Sequence, residues 1–375
     1  MERSPRPLPL GPEPAGSYRD RLGIVAGSLP GRSLCDVTPG KSGEAGFLES
    51  LAVNNWLRKV TKVQLAPPGA AVRRALMVLA AALPIVVLAA FLGGMPGTVW
   101  AVLGLVTGAT SRAFLDTARS AALALAIAGL VAAATSVAGT AVPVGLIVAG
   151  AALLGGLADR WSAGSATLAP VTAAIAGTGS LSGPPGLSWW EAASWILAGA
   201  AYGIAALALL RTRPRPRQVE ARRAAAHAAM LAALCGAAAG LAVAFGLPHG
   251  YWIVLSLAST LRPVVRESPR RAVQRITGTL LGVLIPIPLV YFLPSAALIP
   301  IAALSTLALV SYLFAGEYTR EAVFMTVTLV IVTSGGVKAS AIAVGEIRLA
   351  WTILGALVAG AAATALWRLE RDWPD

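Results

Sequence analysis

Residues 75–92 have the sequence ALMVLAAALPIVVLAAFL, an apolar run that directly follows Arg73 and Arg74. A helix of about 17–25 such residues is long enough to cross the hydrocarbon core of a bilayer. Similar runs recur along the chain, which is 57% hydrophobic and only 13% charged, with a mean hydropathy of +0.73. Because a soluble domain has roughly a quarter charged residues, the composition excludes a soluble fold. It predicts an all-α polytopic membrane protein.

The apolar runs predict about twelve transmembrane helices. The eighth is short, since only Gly250 to Leu261 is free of charge. Several spans contain proline, which in a membrane helix marks either a packing kink or a broken helix beside a site. The predicted spans are 75–92, 95–111, 120–137, 139–158, 161–180, 192–210, 224–246, 249–265, 274–293, 295–316, 319–337 and 346–367. The prolines within spans are Pro84, Pro143, Pro170, Pro286 and Pro288.

Basic residues fall on alternate predicted loops. One side has the arginine groups around Arg73, Arg112, Arg160, Arg211–Arg223 and Arg262–Arg271, whereas the other has Lys338, with Arg348 just inside a span. This positive-inside pattern predicts that both termini are cytoplasmic. The net charge of +13 is then explained by topology and contact with anionic lipids, so nucleic acid is not an expected partner.

An internal repeat divides the chain into two halves. MPGTVWAVL from Met95 corresponds to LPHGYWIVL from Leu247, and SWILAG from Ser194 corresponds to AWTILG from Ala350. The order and spacing predict two parallel six-helix repeats, an architecture of transporters with substrate sites at the repeat interface. The predicted segments are a disordered basic cytoplasmic tail (1–70), the first repeat (71–210), a basic cytoplasmic linker (211–223), the second repeat (224–368) and a cytoplasmic tail (369–375).

Three arginines cluster at the predicted cytoplasmic ends of spans eight and nine. Arg271 and Arg275 are four residues apart and share a helix face, and Arg262 ends the preceding span. Guanidinium groups bind carboxylates through paired hydrogen bonds, so these residues predict a vestibule that gathers anionic substrate. The alternative is that they anchor the helix ends to phosphate headgroups.

Ionisable residues within or beside spans are candidates for function. Glu346 and Arg348 flank the start of span twelve and Glu191 begins span six, so Arg348 is expected to pair with one of these carboxylates, as a structural ion pair or an outer gate. Proton coupling requires a carboxylate that titrates. The candidates are Glu191, Glu317, Glu321 and Glu346.

Trp100 and Trp252 occupy equivalent positions of the repeat. The favoured interpretation is an aromatic belt at the membrane interface, and the alternative is stacking of an aromatic substrate. Enzyme chemistry is not expected. The chain has two histidines, its cysteines Cys35 and Cys235 are isolated, and it has no GxxxxGK[ST] motif or metal-ligand cluster. No cofactor or metal is predicted.

The stretches HGYWIVLSL from His249, LRP from Leu261 and RAVQRITGTLLG from Arg271 resemble the signature of the fusaric acid resistance (FUSC) family, which belongs with the aromatic acid exporters. The resemblance is clearest over 247–367. Long members of that family have large cytoplasmic domains after each six-helix block, and here only the short linker and tail follow. The matching positions are Arg275, Gly278, Thr279 and Gly282, with Arg348 and Gly355 fitting a later motif.

The resemblance implies a transporter of the bacterial inner membrane that exports small organic or aromatic anions, with the proton gradient as the expected driving force. A passive organic-anion channel of the same fold and a non-transporting membrane assembly component are the alternatives. The expected partners are the small organic anion and anionic lipids, and assembly of the chain as a homo-oligomer is left open. The candidate substrate-binding residues are Arg262, Arg271, Arg275, Thr279, Trp252 and Arg348.

Overall fold

The computed structural model describes residues 67–162, 167–178, 188–210, 219–264, 267–334 and 338–371. These ranges contain twelve helices and no β-strand, which confirms the all-α prediction. Three predicted segments lie wholly or partly outside the described residues. They are residues 1–66 of the first tail, 211–218 of the linker and 372–375 of the last tail.

The helices follow one another with short connections. In chain order they are α1 (Gly69–Phe114), α2 (Thr117–Ser136), α3 (Ala141–Ala158), α4 (Ala169–Gly177), α5 (Trp189–Leu209), α6 (Ala221–Ala244), α7 (Tyr251–Thr260), α8 (Ser268–Leu284), α9 (Pro286–Phe292), α10 (Ser295–Ala315), α11 (Tyr318–Ser334) and α12 (Lys338–Arg371).

Every predicted span falls on a helix, but fewer than twelve are long and apolar enough to cross a membrane. Within the described ranges there are eight such segments. The predicted spans at 161–180 and 249–265 correspond to α4 and α7, which have only 9 and 10 residues. At 1.5 Å per residue each is about 15 Å long, roughly half the thickness of the hydrocarbon core.

The eight membrane-length segments are Gly69–Gly94, Thr117–Ser136, Ala141–Ala158, Trp189–Leu209, Ala221–Ala244, Ser268–Phe292, Ser295–Ala315 and Ser340–Arg368. Their outer surfaces are apolar: Phe91, Leu209 and Phe292 are 86%, 83% and 78% exposed. Large apolar side chains at such exposure suit contact with lipid rather than water.

Helix α1 is broken at Gly94, whose backbone has φ 60° and ψ −159°. A residue with a Cβ atom adopts this conformation at a cost, whereas glycine does so freely. The break separates the membrane-length part of α1 from the part that follows, which contains Pro96. Two other prolines of the predicted spans, Pro170 and Pro286, stand in the first turn of α4 and α9, where proline is well tolerated.

Glycines place the backbones of α1 and α5 in direct contact. A Cβ atom on Gly104 or Gly108 would lie 2.2 Å from the carbonyl oxygen of Ile196 or Ala200, respectively. The contact is reciprocal, because a Cβ atom on Gly199 would lie 2.1 Å from the Ala101 carbonyl oxygen. Small residues at four-residue spacing are the usual basis of close helix packing in membranes. Burial of apolar surface contributes little to helix association in a bilayer, so the close packing of the two backbones is what stabilises the contact between α1 and α5.

We predict that Gly104→Ala destabilises the protein by about 1–3 kcal/mol, because the added methyl group overpacks a backbone contact. The measurement is thermal unfolding of the detergent-purified protein, followed by circular dichroism. Gly129→Ala in α2 is the matched control, since a Cβ atom there has nothing within 4 Å. Equal melting temperatures for the two variants would contradict this account of the packing.

Candidate functional site: two buried arginines

Four helices of the second half, α7, α8, α11 and α12, pack on one another. A Cβ atom on Gly278 or Gly282 of α8 would lie 2.7 or 2.6 Å from a carbonyl oxygen of α11. A Cβ atom on Gly355 of α12 would lie 3.0 Å from the Ile253 carbonyl oxygen of α7. The glycines of the sequence motif are therefore the positions at which these helix backbones meet.

Arg275 of α8 and Arg348 of α12 are buried where the four helices meet, with exposures of 2% and 0%. They are close enough for their charges to interact. The Nε of Arg348 donates a hydrogen bond to the Thr326 hydroxyl oxygen at 3.2 Å. Its guanidinium carbon lies 5.0 Å from the centroid of the Trp252 ring, and the His249 ring stacks on Trp252 at 4.7 Å.

Many buried donors in these helices have no hydrogen-bond partner among the described residues. Native proteins satisfy the great majority of such groups, so each exception needs an explanation. Here the exceptions come from all four of these helices. They are Nε and Nη2 of Arg275, both Nη atoms of Arg348 and the hydroxyl groups of Ser256, Thr260, Thr279, Thr328 and Thr352.

The expected ion pair of Arg348 with Glu191 or Glu346 is wrong. The Glu191 carboxylate instead accepts hydrogen bonds from the backbone N–H and hydroxyl of Ser188, at 2.8 and 2.6 Å, and so caps α5. Glu346 is exposed on α12. It is two residues from Arg348, and residues at that spacing on a helix do not face each other.

Of the four predicted proton-coupling carboxylates, Glu321 is the one that lies beside the predicted arginine vestibule. Its carboxylate is within electrostatic reach of Arg262, Arg271 and Arg275. The Arg271 guanidinium lies 4.2 Å from the Tyr318 ring centroid. Glu317 is exposed. Glu321 and Glu267 both lie within electrostatic reach of Arg271, so carboxylates offset part of the charge of the three arginines.

Trp252 does not belong to an aromatic belt. It is 1% exposed, and all ten residues of α7 are buried, because α4, α6, α8 and α12 surround this short helix. Trp100 is also buried, at 7% exposure. Trp189 and Trp190 at the start of α5 are more than half exposed, as a belt position requires.

The predicted residues Arg275, Thr279, Trp252 and Arg348 thus lie in one set of packed helices, and Arg262 and Arg271 lie at the edge of that set. Sequence reasoning missed Ser256 and Thr352, because a single hydroxyl in an apolar helix gives no signal of its own. Thr326 was missed as well, because nothing in the local sequence marks it as the partner of Arg348. Within the described ranges, no group of three or more His, Cys, Asp or Glu side chains could hold a metal ion.

The part of the chain that contains these helices is similar to a known protein family. Residues 234–362 match the family described as fusaric acid resistance protein-like. The chain is 30% identical over 132 residues to Inner membrane protein YccS of Escherichia coli (strain K12). This alignment covers 34% of this chain and 17% of that protein. It is 29% identical over 131 residues to Uncharacterized membrane protein YvaC of Bacillus subtilis (strain 168), 34% of this chain and 20% of that protein.

A third relative is Uncharacterized protein ORF2 of Neisseria gonorrhoeae, 32% identical over 150 residues, or 39% of this chain and 34% of that protein. The chain thus aligns with about a third or less of each relative's length, and no solved structure matches it. The membrane-length helices and the relatives together indicate a multi-pass protein of the bacterial inner membrane. The match of residues 234–362 to the fusaric acid resistance protein-like family confirms over that segment the resemblance predicted from the motifs.

Proposed function

We propose that this chain is a transporter that exports small organic anions, aromatic ones included, across the bacterial inner membrane with the proton gradient as its driving force. Arg275 and Arg348 form the anion-binding site. The observation that carries the proposal is the pair itself: two arginines buried among packed helices, both with guanidinium nitrogens that have no partner among the described residues.

The energetics favour a binding role over a structural one. Burying an ion costs several kcal/mol even after relaxation, and each unsatisfied buried donor adds about 1–3 kcal/mol. The interaction of Arg348 with the Trp252 ring offsets about 2 kcal/mol of this at best. One neutral hydrogen bond to Thr326 contributes about 1 kcal/mol. A bound carboxylate or sulfonate would supply both the missing charge and the missing acceptors.

Positive charge continues from this site toward the helix ends that the sequence predicts to be cytoplasmic. Arg271 and Arg262 lie on that path, and their charges are close enough to interact. A row of cations raises the local concentration of anions and guides them to the site. A site that binds too tightly would trap its ligand, and Glu321 beside three of the arginines moderates the attraction.

We also propose that the two halves are parallel six-helix repeats, and equivalent contacts support this. Gly199 faces the Ala101 carbonyl, and Gly355 faces the Ile253 carbonyl, at corresponding positions of the repeat. The fourth predicted span of each half packs on a helix that begins the other: α3 on α6, and α10 on α1. The anion site lies in the second half, because the first half has Ala122 where the second has Arg275.

We predict that Arg348→Met raises the melting temperature of the purified protein in detergent without organic anions. Replacing an uncompensated buried charge with an apolar side chain relieves its desolvation, by about 1–4 kcal/mol in comparable cases. Arg270→Met, at an exposed position of α8, is the control and should leave the melting temperature unchanged. A large loss of stability in Arg348→Met would assign Arg348 a structural role instead.

Transport itself is tested in proteoliposomes with labelled benzenesulfonate and terephthalate, which stay ionised at neutral pH and so do not cross lipid as neutral acids. We predict that Arg275→Gln and Arg348→Gln each lower uptake by about ten-fold or more, since losing a buried charge contact costs about 2–5 kcal/mol. Arg270→Gln should transport like the wild type. Wild-type uptake in a folded Arg348→Gln protein would refute the proposed site.

Planar bilayers separate the transporter from the channel alternative. A transporter predicts no steady benzenesulfonate current of channel size in the absence of a proton gradient. Sustained currents under that condition would support a passive channel of the same fold. Absence of uptake in every wild-type assay, with unchanged efflux from cells that lack the protein, would favour an assembly component without transport.

A further inference from the structure

A second buried polar pair lies apart from the two arginines. The Nε2 of His227 is 3.3 Å from the carboxylate Oδ2 of Asp159, and the two residues are only 3% and 5% exposed. Asp159 directly follows α3, and His227 lies in the second turn of α6. Helices α3 and α6 pack closely and come from the two different halves of the chain. The pair therefore bridges the halves.

The pair lines a small cavity with room for about one water molecule. Thr167 before α4 and Arg262 after α7 are the other polar residues of its wall, and the rest are Gly155, Leu231, Ala258, Leu261 and Pro263. The backbone N–H of Arg262 donates to the Ser268 hydroxyl oxygen at 3.0 Å, and Ser268 begins α8, the helix of Arg275. This hydrogen bond thus connects the cavity wall to a helix of the proposed anion site.

Histidine is the side chain whose charge ordinarily changes between pH 5 and 8. Since Nε2 of His227 faces the Asp159 carboxylate, Nδ1, which has no hydrogen-bond partner among the described residues, is the atom at which the ring can take up a proton. The pair is then an imidazolium and a carboxylate with no net charge. Loss of that proton lowers the charge of the pair by one, in a cavity that Arg262 also lines. A single proton thus changes the charge of the cavity wall at a junction of the two halves.

The other charged groups near the pair are few. Among the described residues that line the cavity, Asp159 and Arg262 have the charged side chains. Arg160 follows Asp159 and is exposed, while Arg222 and Arg223 lie one turn before His227, at the exposed end of α6. Helix α4, which packs on both α3 and α7, contains no titratable side chain, and none of the charged residues of α12 lines the cavity.

We propose that His227 and Asp159 form the proton-binding site that couples proton movement to anion movement. The proposal rests on the function proposed above. Its proton-binding residues differ from the four carboxylates that the sequence suggested. Protonation of His227 strengthens its attraction to Asp159 and fastens α3 to α6. Deprotonation weakens that attraction and changes the charge of a cavity wall to which Arg262 also belongs. The proton is the second ligand, and the hydrogen bond from Arg262 to Ser268 links its site to α8.

The test uses the full-length protein in proteoliposomes and two assays on the same preparation. Exchange of labelled for unlabelled benzenesulfonate across the membrane needs no proton, whereas accumulation driven by a pH gradient of either polarity does. We expect His227→Gln and Asp159→Asn to keep exchange while accumulation falls about ten-fold. Arg223→Gln, an exposed position of the same helix that pairs with Glu220, should retain both activities.

The two assays distinguish the possible failures. Exchange by the wild type, together with undiminished accumulation by His227→Gln, would overturn the proton site and leave the anion transporter standing. Absence of exchange by the wild type would overturn the transporter and the coupling with it. Retained exchange shows that a variant is folded. If His227→Gln does not exchange, Asp159→Asn, which keeps the shape of its side chain, decides the outcome by the same criteria.

Discussion

A guanidinium group inside a bundle of membrane helices is stable there only if something offsets the loss of its hydration. Arg348 has no exposed surface, and its contacts within the described chain are one hydroxyl and one indole ring. Arg275 lies close enough to add repulsion. Two like charges in one apolar region make the empty site costly, and an anion is the ligand that removes that cost. The proposed function follows from this imbalance.

The geometry of the site depends on glycine. Gly278 and Gly282 let α8 approach α11, and Gly355 lets α12 approach α7, so the two arginines are held by backbones in contact rather than by flexible side-chain packing. The short helix α7 is buried over its whole length and brings Trp252 beneath Arg348. Rigid packing of this kind keeps charged groups in place where no ion pair holds Arg348, which is the usual requirement for a preorganised binding site.

Hydropathy and motif spacing predicted much of this arrangement. The apolar runs located every described helix, and the motif from Arg275 to Gly282 indicated both the packing contact and one of the buried arginines. The partners of Arg348 could not be predicted. Thr326 and Trp252 are distant in sequence and reach it through tertiary packing, while the nearby Glu346 faces away. The short length of α7 was predicted from its charge-free run, whereas that of α4 was not, because hydropathy measures how apolar a segment is and not whether protein or lipid surrounds it.

The same limitation explains Trp252 and the pair of His227 with Asp159. A tryptophan near a predicted span end suits an interface belt, and only the burial of α7 shows that it faces the bundle interior. A histidine in α6 and an aspartate after α3 are unremarkable separately. Their meeting depends on close packing of α3 against α6, where a Cβ atom on Gly156 would lie 2.4 Å from the Ala228 Cα.

The most direct test of the central claim is the thermal stability of the purified wild-type protein with benzenesulfonate and, separately, with benzenesulfonamide, its neutral analogue of nearly the same shape. If uncompensated arginine charge forms the site, the sulfonate raises the melting temperature in proportion to the logarithm of its concentration and the sulfonamide does not. Equal stabilisation by both compounds, or by neither, would contradict the account.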